Sequence, residues 1–269
     1  VHAAPQEWAL IVRECIRRGV MREIPFEEIH RHRGEPVLNG AFGVLKKGKV
    51  NAAGGRVLRL IMNLIPSNSL QRMIGGDVAE LAGPMAWLPM HLGPDERATF
   101  FGDDLVCSFY LFALPPSWLP LMAFSMPVCR GCLDGSSSRE PVYVACAVVA
   151  MGWLSAVGLM QHAVRRNCLQ ARPFGAQLPA DREVTRGSFF PRQSDPLPRP
   201  ATEHPKLFYG ELSVGPREFW SVYLDDLTFA SVVRALCWGH GETRSELQEA
   251  FRVTLKSWNI PWSSDKAIE

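Results

Sequence analysis

The sequence predicts an α+β fold, and three observations predict it. "VLNGAFGVLKKGK" and "RVLRLIMNLIP" are strand-like runs joined by the flexible "NAAGG", the pattern of an antiparallel hairpin. "FWSVYLDDLTFASVV" is a second pair of apolar runs, interrupted by Asp225 and Asp226. Two other stretches, Gln6 to Arg18 and "GETRSELQEAFRVTLKSW", carry apolar residues at helical spacing.

With 269 residues the chain has room for one large domain or two intertwined subdomains. Its 47% hydrophobic content is that of a globular chain able to build a core. A formal net charge of +2 excludes a polybasic tail as the main feature and leaves room for a local basic groove. The seven cysteines, Cys15, Cys107, Cys129, Cys132, Cys146, Cys168 and Cys237, form no dense framework. That points to a reducing, intracellular compartment, nuclear or cytoplasmic. The opening "VHAAPQEWALIVREC" has neither an initiator Met nor a signal-peptide layout and reads as the start of a fragment.

The elements follow in order. In the first helix Trp8, Ile11, Val12, Cys15 and Ile16 share one side. The hairpin then places Lys46, Lys47, Lys49, Arg56 and Arg59 near its tip. "PDERATFF", from Pro94, has the composition of a helix start, after which Asp103 and Asp104 precede a strand-like or mixed apolar run. "LFALPPSWLPLMAF" is broken by Pro115, Pro116 and Pro120 and cannot be a regular spanning helix. From Pro141 to Val164 no residue is charged, and Arg165 and Arg166 follow at once. Two readings stay open there. Hydropathy makes it a membrane span; β-branched residues, Gly152 and Gly158 make it a buried strand, a turn at Met151-Gly152 and a buried helix. Proline and charge dominate 171–205, which reads as a long loop or disordered insertion. In the last helix Thr243 or Ser245 is the cap, and Leu247, Phe251, Leu255 and Trp258 form a stripe. Pro261 stops it before a short final strand.

Chemistry concentrates in the acidic residues. Asp104, Asp225 and Asp226 stand at the ends of apolar runs, and converging on one sheet edge they repel one another unless divalent cations intervene. Oxygen ligands of this kind suit Mg²⁺ or Mn²⁺, and two such ions serve phosphoryl transfer. The alternative is a pair of unrelated surface turns, where Asp is common. Lys46 and Arg59 flank the hairpin turn and can grip a triphosphate, or simply form a solvated tip. "CRGC" at Cys129–Cys132 supplies half a zinc site or a redox pair, and no second pair completes a zinc site. "HRH" at His30–His32 is isolated and reads as solvated.

Taken in order, these signals resemble the reverse transcriptase family, from about Leu38 to Lys266. "FGVLKK" and "RLIMNLIPSN" are similar to the finger strands, "DLVCSFYLFAL" to the first catalytic motif, and "AMGWLSAVGLMQH" to the glycine-turn motif. "YLDD" matches the tyrosine-x-Asp-Asp hairpin and "LKSWNIPWSSDK" a later lysine motif. The resemblance implies a right-hand polymerase palm, an antiparallel sheet backed by helices, with an interleaved fingers subdomain and no thumb. It places fingers in 1–100, the first palm motif, fingers return and glycine-turn helix in 101–170, the insertion in 171–205, and the "YLDD" hairpin with its following helix and lysine in 206–269. It implies an RNA-directed DNA polymerase of a retroelement, working with two Mg²⁺ or Mn²⁺ ions on an RNA or DNA template with its primer and deoxynucleoside triphosphates.

Residue by residue, the resemblance makes Asp104, Asp225 and Asp226 metal ligands and puts Lys46 and Arg59 on the triphosphate. Phe109 lies under the sugar, where it disfavours a ribose 2′-hydroxyl. Gly152 and Trp153 turn the chain beneath the template and nucleotide, and Lys266 protonates the leaving pyrophosphate. The chain departs from the family at Ala150, in place of a usual proline, at Met151 for glutamine, and at Asn63 for aspartate. It ends just after Lys266, without the family's primer-grip hairpin, thumb or ribonuclease H domain. Two further readings stand beside this one: a membrane protein spanning 141–164, and a catalytically inactive nucleic-acid-binding remnant.

Overall fold

The computed structural model describes residues 1–51, 54–88, 90, 92–169, 178, 180–185, 217–234 and 245–263. In chain order these include α1 (Pro5–Arg17), β1 (Met21–Ile24), β2 (Arg31–His32), β3 (Glu35–Pro36), β4 (Gly40–Val50), β5 (Arg56–Asn63) and α2 (Ile65–Asn68). Then come β6 (Glu96–Leu105), β7 (Val128–Cys129), α3 (Arg130–Asp134), β8 (Pro141–Cys146) and α4 (Ala156–Leu169). The last are β9 (Arg217–Tyr223), β10 (Asp226–Arg234), α5 (Glu246–Ser257) and β11 (Trp262–Ser263). The chain forms two compact units and passes back and forth between them: Val1–Ile74 with Cys107–Ala156, and Gly75–Val106 with Val157–Glu269.

In the first unit, α1 buries Trp8, Ala9 and Val12, so the predicted apolar side is the packed one. The Trp8 indole N–H donates to the Met126 carbonyl at 2.8 Å, and its ring meets Phe124 edge-on at 5.6 Å. A three-stranded antiparallel sheet of order β1-β8-β7 lies beside it. The hairpin is present as β4 and β5, in register from Gly40↔Asn63 to Leu45↔Leu58 and irregular between Leu45 and Val50. The glycine turn is present too. Gly152 has φ 107°, and a Cβ there would stand 2.4 Å from the Met62 carbonyl oxygen of β5. Only glycine allows that approach. Asn68 holds the turn from α2, donating to the Gly152 carbonyl at 2.9 Å and accepting from the Leu154 amide at 3.0 Å.

The uncharged run Pro141–Val164 therefore divides into β8, the Gly152 turn and α4. The membrane-span reading is overturned: among the described residues no helix is long and apolar enough to cross a membrane. At about 1.5 Å per residue, α4 covers about 21 Å, against the ~30 Å of a bilayer core.

The second unit is built on an antiparallel sheet of order β11-β6-β10-β9. Here one sequence expectation fails. The stretch after Pro94 is not a helix start but the strand β6, and Asp103 and Asp104 end that strand instead of preceding one. The following "SFYL" (Ser108–Leu111) is a turn of 3-10 helix. Backbone partners decide this, because β6 is paired on both sides, with β10 and with β11.

Cross-strand pairs share a face of a sheet. On one face Phe219, Ala230, Val232, Ala98 and Phe100 pack under Ala82, Ala86, Trp87 and Val184. On the other lies α5, with Phe251 against Phe229 at 6.1 Å between ring centroids. Ser245 caps α5 by accepting from the Gln248 amide, and the buried Glu218 carboxylate of β9 accepts from the amides of Glu246 and Leu247. Within the expected insertion, Leu178 and Val184 are buried, and the Val184 amide donates to the Trp220 carbonyl at 2.7 Å along the edge of β9. The rest of 171–205 lies outside the described residues, apart from Ala180 to Thr185.

Candidate metal centre

β9 and β10 are joined by two residues, Leu224 and Asp225, with Tyr223 and Asp226 closing the hairpin. Two-residue connections need positive φ, and Leu224 supplies it at 59°. For a branched L-residue that conformation costs about 1–2 kcal/mol, so something must hold it. Gln161 of α4 does. It is buried, its Oε1 accepts from the Leu224 amide at 2.8 Å, and its Nε2 donates to the Val222 carbonyl at 2.9 Å. One side chain thus spans the turn from both sides.

The turn is also tied to β6, whose Leu105 amide donates to the Asp225 carbonyl at 2.9 Å. Asp226 lies directly opposite Asp104 in the ladder, and Ser263 of β11 flanks Asp104 on the other edge. Consequently one carboxylate oxygen from each of Asp104, Asp225 and Asp226 lies within 4.8 Å of the other two, with all three residues half-buried. Oxygens bound to a single Mg²⁺ stand up to roughly 4 Å apart, so a small relaxation brings three ligands onto a hard cation. An all-carboxylate donor set favours Mg²⁺ or Mn²⁺ over softer metals.

Asp103 has a different fate. Alternation along β6 turns it to the face covered by α5, where it is fully buried and receives the Arg252 guanidinium as a fork, at 3.0 and 2.8 Å. Arg252 also reaches Glu249 at 3.1 Å. Beside the triad, on the opposite face, a cavity of about 470 Å³ is lined by Trp87, Phe100, Gly102, Tyr223, Asp226 and Thr228.

Lower on α4 a second network anchors the segment that enters β6. His162 Nδ1 meets Asp77 at 3.0 Å, Arg165 donates to Asp77 at 3.0 Å, and Arg165 forks onto Glu183. Burial pulls the Asp77 carboxyl up, but the hydrogen bonds from His162 and Arg165 outweigh it and hold the group below its ordinary range. Nearby, Gly76 has φ 50°, and a Cβ there would stand 2.2 Å from the Gly158 carbonyl oxygen.

Of the residues singled out in the sequence, the three aspartates come together in the second unit. Lys46 and Arg59, exposed on β4 and β5, belong to the first unit. So do Phe109, half-buried in the 3-10 turn Ser108–Leu111, Gly152, and Trp153, whose indole N–H donates to Gln71 at 2.8 Å. Lys266 lies outside the described residues. His30–His32 is exposed, as expected, and among the described residues no other group of three or more metal-ligating side chains converges. Sequence reasoning missed Gln161, Arg252 and Glu218. For Gln161 a signal existed, since a polar residue closing an apolar run must find partners when buried.

No protein-family model matches the sequence, and no curated protein matches it. Among solved structures, the chain is similar to a foamy viral protease-reverse transcriptase solved in complex with double-stranded DNA. The TM-score is 0.52 at 15% sequence identity, over 98% of this chain and 31% of that one. The likeness is one of fold. Mixed α+β architecture with antiparallel sheets is common to the reading of the sequence and to the structure, and this chain spans about a third of that protein's length.

Proposed function

We propose that the chain is the fingers and palm portion of a retroelement RNA-directed DNA polymerase, which adds deoxynucleotides to a primer on an RNA or DNA template. The observation that carries the proposal is the convergence of Asp104, Asp225 and Asp226. The fold likeness to a reverse transcriptase-containing protein supports it independently.

In this reading a bond forms between the primer O3′ and the α-phosphorus, the hydroxyl proton leaves to solvent, and the bond to pyrophosphate breaks. Bound at the three aspartates, two Mg²⁺ or Mn²⁺ ions supply Lewis acidity at the attacking hydroxyl and charge neutralisation on the triphosphate. The chain's own groups do the rest. Asp104, Asp225 and Asp226 hold the ions, and Gln161 keeps the turn that presents Asp225 in its strained shape. Lys46 and Arg59 hold the triphosphate oxygens, Lys as a point charge and Arg as a fork. Phe109 packs beneath the sugar and excludes a 2′-hydroxyl, Gly152 and Trp153 turn the chain beneath template and nucleotide, and Lys266 donates a proton to the departing pyrophosphate.

The test is Mg²⁺-dependent primer extension by a protein extended to include a thumb. Asp225→Asn removes several kcal/mol of transition-state stabilisation, a loss of roughly 10³-fold or more. Equal extension by Asp225→Asn and parent overturns the assignment of the triad. Template binding by the parent without any extension identifies a non-catalytic remnant instead.

A further inference from the structure

The "CRGC" pair has a geometry that zinc binding does not explain. Cys129 ends β7 and holds the cap position of α3 with extended backbone, φ −64° and ψ 131°. Cys132 lies three residues on, in the first helical turn, the spacing at which cap and third helical residue face each other. The Cys129 thiol is near enough to that of Cys132 to add to the desolvation that raises it. Ser136–Ser138 folds back over them, and the Ser138 carbonyl accepts from both the Gly131 amide and the Cys129 thiol, each at 3.0 Å. Gly131 makes that fold possible, since a Cβ there would stand 2.3 Å from the Ser136 carbonyl oxygen. Cys132 is exposed and Cys129 half-buried.

We propose that Cys129 and Cys132 form a thiol–disulfide modification site, which closes to an internal disulfide against a low-molecular-weight disulfide such as oxidised glutathione and reopens with thiol. The exposed Cys132 thiolate attacks one glutathione sulfur, forming a mixed disulfide and releasing one glutathione thiolate. The Cys129 thiolate then attacks the Cys132 sulfur, forming the internal S–S bond and releasing the second. The two cysteine protons end on the two released glutathiones, and two electrons pass to the reagent. Closure leaves no orphaned group, because the Ser138 carbonyl keeps the Gly131 amide when the Cys129 S–H is lost.

Cys15 and Cys146 differ. Burial pushes the Cys146 thiol up to about 12 and the Cys15 thiol to about 11, which leaves little thiolate at neutral pH. Desolvation, and then Cys129, raise the Cys132 thiol above its ordinary value, so closure accelerates as pH rises above the ordinary thiol range. This chemistry is independent of the nucleotidyl-transfer reading.

The test uses the full chain carrying Cys107→Ser, which removes the other exposed thiol among the described residues. The protein is equilibrated in glutathione buffers of graded ratio, blocked with N-ethylmaleimide and digested with trypsin without reductant. Cleavage after Arg130 separates the two cysteines into peptides 98–130 and 131–139. Expected is a disulfide-linked pair of these peptides, two hydrogens lighter than their sum, that disappears on reduction. Cys129→Ser abolishes the linked pair and raises the glutathione adduct on Cys132 by about tenfold, because nothing resolves it. An adduct equally abundant in parent and Cys129→Ser, or both cysteines fully alkylated in the oxidising buffer, overturns the proposal.

Discussion

The molecule carries two antiparallel hairpins that the sequence marks for function, and they are built on opposite terms. β9–β10 turns in two residues, has buried strands, and is held at its tip by Gln161 and by the Leu105 amide. β4–β5 has an irregular register toward its tip, and from Gly43 to Val50 every residue of β4 is exposed. The difference matches what each is proposed to deliver. Carboxylates that share a cation must be fixed to within a fraction of an ångström, whereas long cationic side chains reach a phosphate from many backbone positions. A hairpin of the first kind draws its shape from the rest of its unit. One of the second kind draws it from its own ladder.

Substitutions sharpen this contrast, from large effects to small. Arg252→Ala leaves the fully buried Asp103 charge without its fork, and a loss of roughly 3–5 kcal/mol in urea unfolding is expected. A loss below about 1 kcal/mol would mean that α5 does not brace the triad's strand. Gln161→Leu removes both hydrogen bonds that span the Leu224 turn. It costs about 2 kcal/mol and weakens Mn²⁺ binding, read by the paramagnetic signal of free Mn²⁺. Unchanged Mn²⁺ affinity would separate the turn's shape from the placement of the carboxylates.

Asp77→Asn costs about 1 kcal/mol at neutral pH through its lost charge-assisted hydrogen bonds. The sign of its pH dependence is fixed. Folding depresses this carboxyl, so its contribution is present at neutral pH and is lost as pH falls through and below the usual carboxylate range near ~4. Unfolding curves of parent and variant should therefore converge in acid. Lys46→Ala and Arg59→Ala complete the comparison, changing stability by no more than about 0.5 kcal/mol because both side chains are exposed. In primer extension the same two variants should raise the nucleotide KM, and a stability loss comparable to that of Gln161→Leu would erase the distinction between the hairpins.

What could be read from the sequence was local. The β4–β5 hairpin, the Gly152 turn, the Ser245 cap and the "YLDD" turn all rest on residues within a few positions of one another. β6 is not legible locally, because "PDERATFF" has a helix-start composition, while its strand state is imposed by partners in β10 and β11. Asp103 and Asp104 are equivalent in sequence and differ only by the alternation of that strand. Gln161, Glu218 and Arg252 act across 28 to 149 positions, too far apart for any periodicity to link them.

That pairing of β6 has a consequence for synthesis. Its ladder partners, β10 and β11, both follow it by more than a hundred residues. At ribosomal rates of about 5–20 residues per second, Phe100, Phe101 and Leu105 wait on the order of ten seconds for a strand to pair with. During that time the nascent chain displays an unpaired, aromatic-rich segment. Production of this protein should therefore depend on holding chaperones during translation more steeply than its finished stability would indicate.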